Sequence, residues 1–272
     1  MNNGAKSAEF PIGVFDSGLG GLTVVKEIIH HLPNERIVYF GDTARVPYGT
    51  KSAETIIRYS REIVRVLLEY KVKMVVVACN TASSLALDVI KKEFDLPILG
   101  VIEPGARKAV AVTRSRRVGV IATSSTVKSG RYAAKIVELD KKIAVTSTAC
   151  PLFVPLVEEG WFDHAVTYRV AEEYLGGMKK KKVDTLILGC THYPLLKGVL
   201  HEVMGPKVQL VDSAMEVALQ VKDELVRRRL LRTRLEPGRH QFIVSDEPRQ
   251  FEHLASRFLG GGIKNVRRYI YV

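Results

Sequence analysis

Cysteine is scarce in this chain, and the three present, Cys79, Cys150 and Cys190, form an odd set without a Cys-x-x-Cys pair. That excludes a disulfide framework and argues against a structural zinc site, which needs clustered ligands. Long apolar runs are absent too, and none approaches the roughly 18 residues of a spanning helix. The first ten residues, Met1 to Phe10, lack the apolar centre of a signal peptide, and Asn2 stands where N-myristoylation needs glycine. They read as a loose tail, and the chain as a soluble cytoplasmic protein. Acidic residues are in the minority: 41 Lys and Arg against 29 Asp and Glu leave a formal charge of +12. The basic residues gather at Lys179-Lys180-Lys181-Lys182 and at Arg227-Arg228-Arg229, continuing to Arg232 and Arg234. Neither cluster is interleaved with aromatics that could stack on bases, so a solvated basic surface is expected and no nucleic-acid partner. The same field would draw in a small anionic substrate.

What the chain does have is a repeated arrangement. Met74-Val75-Val76-Val77-Ala78 is a β-type apolar run that ends in Cys79, followed by Asn80 and Thr81 as capping residues before a helical pattern resumes at Leu85. Much later Leu186-Ile187-Leu188-Gly189 ends in Cys190, followed by Thr191, His192, Tyr193 and Pro194. At 272 residues and 46% hydrophobic, the chain can bury the core that two such units need.

Strands and helices alternate along the sequence. Ile12-Gly13-Val14-Phe15 reads as a buried strand running into Asp16-Ser17-Gly18-Leu19-Gly20-Gly21, with Val24, Val25, Ile28 and Ile29 at helical spacing behind it. Such a glycine-rich turn suits an anion or a polar headgroup. A dinucleotide loop is opposed by Thr23 at the third glycine position and by the carboxylate of Asp16 beside the expected pyrophosphate. Residues 36–40 are a second strand. The loop of residues 41–49 carries Tyr48, either a turn residue beside Pro47 or a lid over a site. Ser52 caps a helix with Ile56, Ile57, Ile63, Val64, Leu67 and Leu68 on one stripe. The strand ending at Cys79, its helix and a short strand over residues 96–99 complete the series. After residue 105 the alternation restarts with a strand at 117–122, the polar turn Thr123-Ser124-Ser125-Thr126, a helix through Tyr132 and Ile136, and a strand at 143–145. A segment with Glu158, Glu159 and Trp161, a helix around 168–175 and the Cys190 strand follow. Later come a strand at 208–211, a helix at 214–229 and strand material at 241–244 and 266–271. The expected fold is α/β: two pseudo-symmetric lobes, each a mainly parallel sheet flanked by helices, with the site between them.

In parallel α/β folds ligands bind beyond the carboxyl ends of the strands, where Asp16, Ser17, Cys79, Asn80, Thr123, Cys190, Thr191 and His192 all stand. Facing lobes would bring both thiols to one small ligand from opposite sides. A buried cysteine is also a common inert core residue, the preferred account of Cys150. For Cys79 and Cys190 the polar residues at a helix start argue otherwise, since helix amides there would lower a thiol pKa. Two bases on opposite faces of one carbon have a specific use. Enantiomers in water have equal free energy, so a catalyst that interconverts them needs one group to remove a proton and another to deliver one to the far face. With neither a zinc motif nor a cofactor loop, this would be proton chemistry by side chains alone, with no cofactor and no metal.

The motifs Phe15-Asp16-Ser17-Gly18-Leu19-Gly20-Gly21, Gly41-Asp42 with Pro47-Tyr48-Gly49, Ala78-Cys79-Asn80-Thr81-Ala82, Cys150-Pro151-Leu152 with Glu158, and Gly189-Cys190-Thr191-His192-Tyr193-Pro194 resemble, in order and spacing, the cofactor-independent glutamate racemases. One departure is visible: the turn that the family usually writes Thr-x-Gly-Thr reads Thr123-Ser124-Ser125-Thr126. The resemblance implies that Cys79 deprotonates D-glutamate and Cys190 L-glutamate. It further implies that Asp16 and His192 assist the thiol on their own sides, with Glu158 close to His192. Asp16, Ser17, Tyr48, Gly49, Asn80, Thr81, Thr123, Thr191 and His192 would hold the amino acid. It implies a first lobe of residues 1–100 plus 212–272 and a second of 101–211, a homodimer, and D-glutamate supplied to peptidoglycan synthesis. A relative acting on aspartate or a hydantoin is the alternative within the same chemistry. Asp16 itself could take the substrate ammonium group or shuttle the thiol proton.

Overall fold

The computed structural model describes residues 7–271. Its elements follow in chain order: β1 (Ile12–Asp16), α1 (Leu22–His31), β2 (Ile37–Gly41), α2 (Ala53–Glu69), β3 (Met74–Val77), α3 (Asn80–Leu85), α4 (Leu87–Glu93), β4 (Ile98–Gly100), α5 (Ile102–Val112) and β5 (Arg117–Ala122). There follow α6 (Ser124–Ser129), α7 (Arg131–Leu139), β6 (Ala144–Ala149), α8 (Phe153–Glu158), α9 (Ala165–Lys180), β7 (Thr185–Gly189), α10 (Lys197–Met204) and β8 (Gln209–Val211). The chain closes with α11 (Ser213–Arg227), β9 (His240–Val244), α12 (Pro248–Leu259) and β10 (Arg267–Arg268).

The strands form two sheets, ordered β10-β9-β2-β1-β3-β4 and β6-β5-β7-β8, and every pairing is parallel. The order 2-1-3-4 in the first sheet is repeated as 6-5-7-8 in the second. The weak internal repeat is therefore topological: β1 corresponds to β5, and β3, which ends before Cys79, to β7, which ends before Cys190. In such an order the connections leaving β1 and β3 depart on opposite sides, which opens a crevice beyond their carboxyl ends.

Composition explains which strands are central. β1, β3 and β7 are buried at every position, as a strand covered by helices on both faces must be. β6 is the polar edge, Ala-Val-Thr-Ser-Thr-Ala, partly open to solvent. In α2 Ile56, Ile63, Val64 and Leu67 of the expected stripe are buried together with Ser60 and Val66, whereas Ile57 is half-buried and Leu68 exposed, and the Ser52 hydroxyl accepts from the Thr55 amide at 3.2 Å, as an N-cap does. α11 packs against both α1 and α5 and so ties the two sheets together.

Several expectations require correction. No capping interval separates Cys79 from its helix: α3 starts at Asn80, and the pattern at Leu85 belongs to its last turn and to α4. The helix through Tyr132 and Ile136 is two helices, broken at Gly130 with φ +66°, a left-handed position that glycine adopts without strain. Four helices, α5, α8, α10 and α12, fall in stretches where the sequence pattern predicts none. α5 hid behind Pro104 and Gly105, which lie in its first turn, where proline is tolerated. The late strands β9 and β10 extend the first sheet.

Residues 7–10 are not a loose tail, because Ala8 is buried and its carbonyl accepts from Lys73 Nζ at 2.8 Å. The loose-tail expectation for residues 1–6, and Asn2 with it, lies outside the described residues. Among the described residues no helix is long and apolar enough to cross a membrane.

Lys73 also meets Glu35 at 2.5 Å and the Leu230 carbonyl at 2.8 Å, so one buried ammonium joins three remote segments. Removing one partner of a buried pair leaves an uncompensated charge. Lys73→Ala is expected to cost about 3–5 kcal/mol in denaturant unfolding. A loss below 1 kcal/mol would show that Glu35 is satisfied without it.

Candidate active site

A cavity of about 310 Å³ lies between the carboxyl ends of the two sheets, near the lower end of the roughly 300–1,000 Å³ usual for small-ligand sites. Cys79 and Cys190 are both in its wall. Each follows the third strand of its own sheet, so the shared strand order delivers two equivalent thiols to one space. Ser17, Tyr48, Gly49, Asn80, Thr81, Thr123, Glu158, Thr191 and His192 line it as well. Asp16 does not. It is fully buried at the end of β1, where it accepts from the Gly18 amide at 3.0 Å and from the Thr191 hydroxyl at 3.4 Å.

The two thiols have different surroundings. On the first side Cys79 Sγ lies 3.9 Å from the Ser17 hydroxyl. Burial, and then the charge of Asp16, push the Cys79 thiol up to about 12, against the pull of the Ala82 amide and the Ser17 hydroxyl. This corrects the expectation of a helix-lowered thiol: the helix amide acts in the expected direction but is outweighed. Burial also raises the Asp16 carboxyl above its ordinary range, opposed by the His192 charge, the amides of Gly18 and Gly21 and the Thr191 hydroxyl.

On the second side Cys190 Sγ is 3.9 Å from His192 Nδ1, and His192 Nε2 is 3.1 Å from Glu158 Oε1. Burial disfavours the imidazolium, but its contacts with Cys190 and Glu158 prevail and raise His192 to about 10. His192 thus lies between a thiol position and a carboxylate, both of which favour its protonated form. Cys150 is fully buried within the apolar core and outside the cavity wall, the inert role preferred for it.

The glycine-rich turn after β1 meets the cavity through one side chain. Among its residues only Ser17 lines the cavity, and its glycines serve close approach. A Cβ on Gly20 would lie 2.2 Å from Thr191 Oγ1 and 2.6 Å from His192 Nδ1, and one on Gly21 would lie 2.4 Å from Asp16 Cβ. Gly20 therefore lets the second-sheet residues press against the first. The Thr23 hydroxyl adds a 3.4 Å bond to the Thr191 carbonyl.

Elsewhere on the seam three hydroxyls cluster, with Thr81 2.9 Å from Thr123, Thr81 3.2 Å from Thr126 and Thr123 3.0 Å from Thr126. Tyr48, left open between turn and lid, is both a wall residue and anchored: its hydroxyl bonds Asp42, which also pairs with Arg45 at 2.7 Å.

Sequence reasoning missed Tyr132, whose hydroxyl donates to Asn80 Oδ1 at 2.7 Å and fixes that amide from the other sheet. Nothing local marks it, because the contact spans 52 residues. It also missed the apolar wall of Pro151, Val154 and Pro155, for which the Cys150-Pro151 motif was the available signal.

Residues 12–221 match the family described as Asp/Glu/Hydantoin racemase. The chain belongs to this racemase family. A curated relative, the glutamate racemase of Geobacter metallireducens, is 55% identical over 255 residues, 94% of each chain. Among solved structures, a glutamate racemase isoform from Bacillus anthracis superposes with a TM-score of 0.93 at 40% identity, covering 96% of this chain and 98% of that one. The glutamate racemase of Francisella tularensis, solved in complex with D-glutamate, gives a TM-score of 0.90 at 37% identity, with 96% and 98% coverage. The two-sheet architecture is thus that of racemases in this family.

The height of the Cys79 pKa has a direct consequence for its reactivity, since only thiolate is alkylated. Iodoacetamide labelling of Cys79, followed by peptide mass mapping, is expected to accelerate about tenfold per pH unit up to at least pH 10. A plateau near the ordinary thiol range, about 8.5, would show that the thiol is not held up by burial and Asp16.

Proposed function

We propose that the protein is a glutamate racemase that interconverts L- and D-glutamate with Cys79 and Cys190 as its two acid/base groups. The observation that carries this is the pair of thiols at equivalent strand ends, both in the wall of one small cavity. The substrate assignment rests on the glutamate racemases to which the chain is similar over nearly its whole length.

In the L-to-D direction the Cys190 thiolate takes the Cα proton, the Cα–H electron pair stays as a carbanion, and the Cys79 thiol delivers its proton to the opposite face. One S–H bond forms and one breaks, so the balance closes without an external acid. The reverse direction exchanges the roles. His192, raised to about 10 and paired with Glu158, is the counter-ion for a thiolate at Cys190. On the other side Cys79 starts as a thiol, ready to act as the acid.

Asp16 stands behind the wall rather than in it, which favours proton exchange with the Cys79 side over binding the substrate ammonium group. The carboxylates of glutamate find neutral donors in Ser17, Asn80, Thr81, Thr123 and Thr191, none of which competes as a base. Tyr48 and Gly49 close the wall above them. With Tyr132 occupying Asn80 Oδ1, the Asn80 amide nitrogen is left to donate. In this reading the product D-glutamate supplies peptidoglycan synthesis in the cytoplasm, the enzyme works as a homodimer without a cofactor, and, of the described residues, 7–100 with 212–271 make one lobe and 101–211 the other.

Incubation with L-glutamate in deuterated water, without added cofactor, is expected to give D-glutamate carrying deuterium at Cα. Absence of Cα exchange in the folded protein would sink the mechanism, and faster exchange of aspartate would move the substrate assignment. Cys79→Ala and Cys190→Ala should each lower racemisation by roughly 10²–10⁴, the usual contribution of a positioned acid or base. Near-wild-type rates in either variant would break the two-base assignment.

A further inference from the structure

The cavity is covered on the first-sheet side by residues 46–50, and these are held from the other sheet by a single side chain. Ser125 Oγ lies 2.8 Å from the Gly49 carbonyl and 3.1 Å from the Lys51 carbonyl. A hydroxyl has one hydrogen, so it donates to one of these oxygens at a time or is shared between them. Among the described residues no other side chain from the second-sheet side bonds residues 46–51. The surfaces are already in close contact there: a Cβ on Gly49 would lie 2.6 Å from Thr123 Cβ. On its own side the loop is firm, with the Lys51 amide donating to the Tyr48 carbonyl at 3.0 Å and the Tyr48 hydroxyl bonded to buried Asp42. Ser125 occupies the position that is glycine in the usual Thr-x-Gly-Thr turn, where no hydroxyl could make this contact.

We propose that Ser125 is a latch between the lobes, a positioning residue that keeps residues 46–51 closed over the substrate. The role builds on the function proposed above, because it concerns access to that cavity. Ser125 is not in the cavity wall, so it acts through Tyr48 and Gly49, which are. When the closed arrangement is the one that binds, apparent affinity falls with the fraction of molecules closed. A net hydrogen bond corresponds to a change of about two- to tenfold in such an equilibrium. Both enantiomers use the same cover, so both should be affected alike.

The test uses the full chain with Ser125→Ala and two readouts. KM for L- and for D-glutamate should each rise by about two- to tenfold while kcat stays within about twofold. In ligand-free protein, amide hydrogen exchange of the peptide spanning residues 46–51 should quicken by a similar factor, with distant core peptides unchanged. Unchanged exchange in this segment overturns the latch. So does a fall in kcat at constant KM, which would place Ser125 in the chemistry. Should the wild-type protein not turn over glutamate, the proposed function fails, and the exchange measurement decides the latch by itself.

Discussion

The close approach of Gly20 to Thr191 and His192 is the contact on which the rest of the site depends. No side chain larger than hydrogen can stand at that position, and its absence sets how near the two sheets come. From this follow the Thr191 bond to Asp16, the influence of the His192 charge on that carboxyl and the Thr23 bond to the Thr191 carbonyl. At the far side of the cavity Gly49 performs the same service against Thr123. Two glycine seams thus bracket the space between Cys79 and Cys190, and the three-threonine cluster lies along the second of them. The glycine-rich turn looked in sequence like a ligand loop because a glycine needed for backbone approach to an anion and one needed for packing against another lobe leave the same signature.

Elements with a strong period were legible: the β-branched runs at Val75-Val76-Val77 and Leu186-Ile187-Leu188, and the stripe of α2. So was the position of each thiol, because an apolar run interrupted by cysteine and polar residues marks the end of a buried strand. Short helices containing glycine or proline, such as α5, were not legible, since Pro104 and Gly105 read as a break when they stand in a first turn. Nor could β9 and β10 be placed, because parallel partners far away in sequence are chosen by burial, not by local pattern. For the site, residue types were readable and their second contacts were not. Tyr132 on Asn80 and Ser125 on Gly49 each connect segments whose approach is set by the fold, whereas Glu158 beside His192 was legible only through the family resemblance.

The basic character of the chain also resolves locally. Arg227 and Arg228 pair with Glu224, Arg232 bonds Glu9 and Glu236, and Arg234 pairs with Glu9. The second basic cluster in the sequence is therefore partly neutralised by its own neighbours, three carboxylates being shared among four of its arginines, with Arg232 buried and tying the 230s segment to the amino-terminal one. Lys180, Lys181 and Lys182 instead lie beside Ala144 and Thr146 at the start of edge strand β6.

Pseudo-symmetry of the backbone does not extend to the electrostatics. Cys79 has a buried carboxylate behind it, which with burial opposes its thiolate, whereas Cys190 has the His192 ring beside it at 3.9 Å. Equal free energies of the enantiomers require equal kcat/KM in the two directions, whatever the difference between the thiols. Under the proposed mechanism, any difference in kcat between the two directions is matched by one in KM and cancels in their ratio. In the mechanism proposed above, Cys79 as thiol beside a protonated His192 is the arrangement for L-glutamate, and the one for D-glutamate needs a proton moved off Cys79. That transfer is where a buried Asp16 with a raised pKa is useful: a carboxyl closer in pKa to its partner exchanges a proton with less uphill cost than an ordinary carboxylate. In that proposal the burial that keeps Asp16 out of the cavity wall is the same property that would suit it to resetting the thiol.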